Sequence, residues 1–245
     1  MSDPHPLTHW LSSLNAHMRL GPADHAAILA LEPEVRMHPP HATLVREGER
    51  PSACAVLIEG FAIRIKQTVS GERAIVGIQI PGDALDLQHL YLDCADHDVE
   101  MLTPGRLAML PRQGLRALAD RRPSIGRAIA MTNQADASIL REWLLNVGRR
   151  SARARTAHLF CELSIRLAGR GLIVDEAFEL PMTQEQIGDA LGLTSVHINR
   201  TIKALESEGL LSRSHRSVRV ADWERLRDVA EFDDLYLHLG RQAAN

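Results

Sequence analysis

The chain has 245 residues, with 28 Lys+Arg against 31 Asp+Glu, a formal net charge of −3 and 45% hydrophobic residues. That length accommodates two domains with cores of their own, and no uninterrupted apolar run is long enough to span a bilayer. The near-neutral balance excludes a protein that is basic all over, so affinity for nucleic acid has to come from local clusters of arginine.

The first residues, Met1-Ser2-Asp3-Pro4-His5-Pro6, have neither a basic cap nor an apolar core, so no secretory signal is expected and a cytoplasmic location is. Leu7 to about Arg36 reads as helical at its front, with Leu7, Trp10, Leu11 and Leu14 on one apolar face. From Ala42 to about Leu110 the texture changes to short apolar runs punctuated by glycine. Ala53–Ile58 and Phe61–Lys66 predict strands around the turn Glu59-Gly60. Ser70-Gly71 leads into a third strand, Ala74–Ile80, which Pro81-Gly82-Asp83 ends. Asp98–Leu102 and Arg106–Leu110 flank Thr103-Pro104-Gly105. Short strands at such spacing predict a β-sandwich or roll.

Pro111 closes that region, and a short helix is expected around Gln113–Asp120. Pro123 suits the first turn of a long helix reaching Gly148. Its apolar positions include Ile125, Ile129, Ile139, Trp143 and Val147. These are expected to form a homodimer seam with a second copy, while another face packs on the β-domain. Ala152 to about Ala168 predicts a further buried helix.

Thr183 to Glu208 carries the densest signal. Thr183 with Gln186 forms a capping box, and Ile187 and Leu191 share one face of a short helix beside the small Gly188. Gly192 stands where the chain reverses. Thr194 caps a second helix whose inner face is Ile198, Ile202 and Leu205. Ser195, Val196, His197, Asn199 and Arg200 then lie at or near its exposed N-terminal end, the end that a major groove admits. An αα-hairpin in a helical core uses the same punctuation. Here, however, Leu210–Arg213 and Ser217–Val220 follow as a β-hairpin around Ser214-His215-Arg216, which makes a winged helix-turn-helix. Arg213, Arg216 and Arg219, with His215 at the tip, suit phosphate oxygens. Arg200 and Lys203 join them in one basic cluster, and Arg149, Arg150, Arg153 and Arg155 make another.

In this order of elements the chain resembles the Crp/Fnr superfamily of bacterial transcription regulators along nearly its whole length. The resemblance implies an α+β protein: an N-terminal β-roll (jelly-roll, cyclic-nucleotide-binding-like) sensor domain over 1–122, a dimerisation helix over 123–148 and a winged helix-turn-helix domain over 149–245. It implies a homodimer on near-palindromic double-stranded DNA, with half-sites about one helical turn, roughly 34 Å, apart, and RNA polymerase as a partner. It also places base reading on Ser195, Val196 and Arg200, with His197 and Asn199 close by and Thr183 and Thr194 at phosphates. Where many relatives have glutamate this chain has Val196, suited to a thymine methyl rather than to cytosine N4.

Two departures bear on the signal. Members that bind cyclic AMP carry a Gly-Glu-Leu segment after the Pro-Gly-Asp turn and an Arg-Ser or Arg-Thr pair further on. Here the segment is Ala84-Leu85-Asp86-Leu87, with Leu87 in place of the ribose-binding glutamate. No arginine or lysine lies between Asp83 and Arg106, whereas Asp83, Asp86, Asp93, Asp96, Asp98 and Glu100 do. Cyclic AMP is therefore not expected as a ligand. The cysteines are Cys54, Cys94 and Cys161, too few for a four-thiolate iron–sulfur cluster within one subunit. His89, Asp93 and His97 fall at helical spacings, but no histidine is marked out for haem, and neither a cofactor nor a metal is expected. Cys94 is the one thiol placed on a loop, open to a redox role. No catalytic constellation appears, so no enzyme is expected. The alternative reading is a small-molecule or haem/redox sensor module whose winged helix mediates protein contacts.

Overall fold

The computed structural model describes residues 5–240, so Met1–Pro4 of the N-terminal segment read above lie outside the described residues. Two helices open the fold, α1 (Thr8–His17) and α2 (Pro22–Leu29), with Pro22 in the first turn of the second. The expected helical region does not reach Arg36. Pro33 bars its predecessor from the helical region, and the chain enters β1 (Glu34–His38) instead. Six more strands follow: β2 (Thr43–Val45), β3 (Ala53–Glu59), β4 (Ala62–Gln67), β5 (Arg73–Gln79), β6 (Asp98–Met101) and β7 (Gly105–Pro111).

They form two antiparallel-paired sheets in the orders β1-β7-β3 and β2-β6-β4-β5. On β3 both faces are buried, which explains its unbroken apolar run. Cys54, Val56 and Ile58 join Trp10, Leu14, Leu90, Leu110, Leu115, Ile125 and Ile129 in one core. Ala55 and Leu57 point the other way, into the roll, with Leu85, Val99, Met101 and Leu107. The turn after β3 depends on two glycines. A Cβ on Gly60 (φ +89°) would lie 2.6 Å from the Pro104 carbonyl oxygen, and one on Gly105 2.4 Å from that of Glu59.

Beyond the strands come α3 (Arg112–Arg121), α4 (Pro123–Arg149) and α5 (Ala152–Ala168). After these come β8 (Ala177–Glu179), α6 (Gln184–Leu191), α7 (Ser195–Ser207), β9 (Leu211–Ser214), β10 (Ser217–Val220) and α8 (Trp223–Ala230). The expected hairpin is one side of a three-stranded sheet, β8-β10-β9. Both α7 and α8 pack on α5.

The described residues divide into two compact units: 5–66 with 76–137 and 238–240, and 67–75 with 138–237. The division falls inside α4 rather than at the helix ends, 122 and 148, expected from the sequence. The two halves of that helix take their packing partners from different cores.

That division corrects the expected dimer seam. Ile125 and Ile129 are fully buried in the first unit's own core, and Trp143 is 7% exposed within the second. Side chains spent on the fold of one chain cannot face a second copy. Ile139 is half-buried, and only Val147 of the five is exposed. The apolar side chains that α4 leaves open are instead Met131, Leu140, Leu144, Leu145 and Val147, with Leu144 at 75% exposure.

Candidate DNA-binding surface

The two helices of the motif are held together by backbone geometry. Thr183 Oγ1 accepts from the Gln186 N–H at 3.1 Å, and the Gln186 side chain accepts from the Thr183 N–H at 2.9 Å, so both halves of the capping box are made. Gly192 ends α6 in the left-handed region, φ 63°. Gly188 is required for contact: a Cβ there would meet the Leu193 carbonyl oxygen at 2.3 Å. Thr194 then caps α7 by accepting from the His197 N–H at 3.3 Å. Ile198, Ile202 and Leu205 of α7 are buried, as the spacing requires.

The opposite face of α7 is open. Thr194, Ser195, Arg200 and Lys203 are exposed, Val196 is 77% exposed, and His197 and Asn199 are half-exposed. Among the described residues the side chains of Arg200 and Lys203 have no partner. The N-terminal end of α7 thus presents hydroxyls, one apolar side chain and a free guanidinium on one side. Thr183 is exposed at the start of α6.

The wing is only partly as expected. His215 adopts φ 53° at the tip, and Arg216 beside it is exposed. Arg213 is a correction. It is half-buried, its Nη2 donates to the Met182 carbonyl at 2.9 Å, and its backbone N–H donates to Glu206 at 3.0 Å. Burial lowers its pKa, with the charge of Glu206 opposing. Arg213 therefore ties the wing to the residues before α6 instead of offering itself to a phosphate. Arg219 points to the other edge and pairs with Glu176 at 3.1 Å. Of the cluster at Arg149–Arg155, Arg149 is exposed, and the other three arginines are engaged within the chain. Arg150 pairs with Glu142 at 2.7 Å, Arg153 with Glu208, and Arg155 donates to the carbonyls of Leu191 and Arg150 at 2.8 and 2.9 Å.

These differences separate two arginines that look alike in sequence. Arg216→Ala is expected to flatten the log–log salt dependence of DNA binding by about one unit while leaving sequence preference alone. Arg213→Ala should instead destabilise the unit by about 1–2 kcal/mol, visible as a lower Tm, because a half-buried carbonyl loses a charged donor. Equal effects of the two on the salt slope would refute this division.

In the first unit, the segment Ala84–Leu87 is occupied by the chain's own groups. Arg64, which sequence spacing does not connect to it, donates from Nε and Nη2 to the Leu85 carbonyl at 3.1 and 2.6 Å, and from Nη1 to Asp136 of α4 at 3.2 Å. Asp86 is buried and accepts from Gln88 at 2.9 Å, with His97 Nε2 at 3.1 Å. Burial disfavours charge on His97, but hydrogen bonds and charge from Asp86 and then Asp96 outweigh it and raise its pKa. Of His89, Asp93 and His97, Asp93 stands apart and pairs with Arg112 at 3.0 Å, while both imidazoles lie beside Asp86, at 3.9 Å for His89 and 3.1 Å for His97.

The family model described as a Crp-like helix-turn-helix domain matches residues 154–229, and that of a cyclic nucleotide-binding domain matches residues 35–122. The transcriptional activatory protein AadR of Rhodopseudomonas palustris is 34% identical over 218 residues, covering 88% of this chain and 86% of AadR. The chain belongs to the Crp/Fnr family. FnrL of Cereibacter sphaeroides, a transcriptional activator protein, is 27% identical over 195 residues and 78% of each chain. Among solved structures, FixK2 from Bradyrhizobium japonicum superposes with a TM-score of 0.75 at 22% identity, over 81% of this chain and 98% of that one. The Crp/Fnr proteins are transcription regulators and not enzymes. Among the described residues no helix is long and apolar enough to cross a membrane.

Proposed function

We propose that this Crp/Fnr regulator works in the cytoplasm as a homodimer on near-palindromic DNA, reading each half-site with α7 and gripping the flanking backbone with Lys203, His215 and Arg216. The observation that carries this reading is the open face of α7: Ser195, Val196 and an unpaired Arg200 at the N-terminal end of a helix whose other face is buried. Arg200 is placed to bond O6 and N7 of a guanine, and Val196 to meet a thymine methyl. Thr183 and Thr194 sit at helix N-termini, where dipole and hydroxyl both favour phosphate. RNA polymerase is the partner expected of a family whose relatives are named transcriptional activators.

The open side of α4 supports pairing with a second copy. Ala130, Asn133, Ala137, Leu140, Leu144 and Val147 alternate at three and four residues, the spacing of a coiled-coil seam, and Leu140, Leu144 and Val147 are exposed. A small polar residue within such a seam, here Asn133, fixes register. Selection from a randomised duplex pool tests the reading. Near-palindromes with half-sites one turn apart should be enriched, and retention should fall steeply with salt. Enrichment of no DNA sequence would overturn it.

Cyclic AMP is not the signal on this reading, and neither a haem nor an iron–sulfur cluster is proposed. Leu87 cannot accept from a ribose hydroxyl, and Arg64, the cation nearest the Ala84–Leu87 segment, is already engaged by Leu85 and Asp136. Titration calorimetry with cyclic AMP should give no saturable heat, and the nucleotide should leave operator affinity unchanged. A micromolar dissociation constant would refute this.

A further inference from the structure

Glu162 sits in the middle of α5 with none of its surface exposed. Its carboxylate collects donors from three parts of the second unit. Trp143 Nε1 of α4 donates at 2.9 Å, the Tyr236 hydroxyl at 2.9 Å, and Arg166 Nη1, one turn along α5, at 3.1 Å. Trp143 and Tyr236 are themselves nearly buried. The tyrosine's pKa is driven far up, first by burial and then by the charge of Glu162 and the hydrogen bond to it, so it stays a donor. Beside the carboxylate, the His158 imidazole stacks on Tyr236 at 5.6 Å and meets Phe232 edge-on at 5.1 Å. Burial, and then the charge of Arg150, press its pKa down to about 3, so it stays neutral.

An ordinary apolar contact would hold α4 and α5 together without burying a carboxylate, which costs several kcal/mol in desolvation. What hydrogen bonds add is direction. Between α4 and α5 only Arg150 and Ser151 intervene, and Ser151 is extended (φ −64°, ψ 158°). Arg155 Nη2 donates to the Arg150 carbonyl at 2.9 Å and Asn146 Nδ2 to the Arg155 carbonyl at 3.4 Å, ties that lie close to the corner and have little leverage on the angle between the helices. The Trp143–Glu162 bond closes across that link, and Tyr236 braces it from the C-terminal side. The recognition helix α7 packs on α5, so whatever fixes α5 against α4 fixes α7 against α4 as well.

We propose that Glu162, with Trp143 and Tyr236, is the positioning device that sets the regulator's tolerance for half-site spacing. This inference rests on the dimeric reading above, in which α4 defines the two-fold axis. An operator one base pair longer or shorter asks each α7 to move by roughly 1.7 Å, half the ~3.4 Å rise, and to turn by roughly 17°, half the twist of one base pair. Hydrogen bonds to one buried carboxylate prevent that movement, so the rigid dimer rejects operators one base pair longer or shorter.

The test uses the full-length protein and fluorescence anisotropy on three duplexes carrying the same half-sites: the selected spacing, one base pair more and one fewer. A duplex with a single half-site is the control. Trp143→Phe and Tyr236→Phe each keep a ring in place and remove one donor. The wild type should lose affinity about thirtyfold on the altered spacings, and each variant about fivefold or less, with the single half-site bound equally by all. A merely stabilising role would lower the Tm and leave the spacing profile unmoved, and that result in the variants would overturn the proposal. A wild type indifferent to spacing would overturn it too, whereas a wild type that binds the two-half-site duplex no more tightly than the single half-site would overturn the dimeric reading itself. Should Tyr236→Phe fail to fold, Trp143→Phe alone decides.

Discussion

Leu140→Glu combined with Leu144→Glu is expected to yield a folded monomer that no longer retains a palindromic operator. Both leucines are open in the single chain, at 48% and 75% exposure, so the fold does not depend on them. In a symmetric seam four such side chains are buried, each contributing about 1.5–3 kcal/mol. Their replacement also brings carboxylates together across the axis. Operator affinity should fall more than about a hundredfold, since each half-site then binds without its neighbour. Sedimentation should show one chain's mass, and circular dichroism an unchanged helical content. A double variant that remains dimeric would place the interface elsewhere. The contrasting change, Trp143→Glu, would put a second carboxylate beside Glu162 and unfold the unit before reporting on association.

Arg200→Ala should cost about 1–3 kcal/mol on the selected operator, about five- to 150-fold in affinity, and relax preference at one base pair per half-site. The arginine lies one turn beyond Val196 on the exposed side of α7, and no ion pair among the described residues has to be broken to free it. Competition over half-sites randomised at single positions separates readout from general attraction. A uniform loss across all bases would make Arg200 a phosphate contact. Preference that stays intact would move readout to Asn199 or Ser195.

Features set by neighbours in the chain were legible before the fold was known. The capping box at Thr183, the reversal at Gly192 and the inner face of α7 are local, and each is made as the spacing says. The bounds of α5 also follow from its own residues. What could not be read depends on partners far away in sequence. Apolar residues occur around most of α4, and only the two cores it joins decide that Ile125, Ile129 and Trp143 turn inward while Leu140 and Leu144 remain open. Arg213 and Arg216 stand three residues apart in one basic run. Strand alternation, with the Met182 carbonyl within reach, turns Arg213 inward and leaves Arg216 out. Arg64 reads as an outward residue of an alternating strand, and its tie to Leu85 and Asp136 spans 21 and 72 positions.

The three thiols are placed so that the protein carries its own clocks. Cys94 is exposed, while Cys54 is buried in the first unit and Cys161 in the second, both with pKa pushed up to about 12 by burial. A buried thiol reacts with a maleimide or disulfide reagent only when its surroundings open, so its labelling rate measures the free energy of that local opening. Peptide mapping of a labelling time course therefore times the breathing of the β-roll and of the DNA-binding unit separately, in one native sample and without engineered probes. Adding operator DNA should slow the Cys161 clock and leave the Cys94 reaction immediate, and any slowing at Cys54 is a direct measure of how far the grip on DNA is felt in the roll.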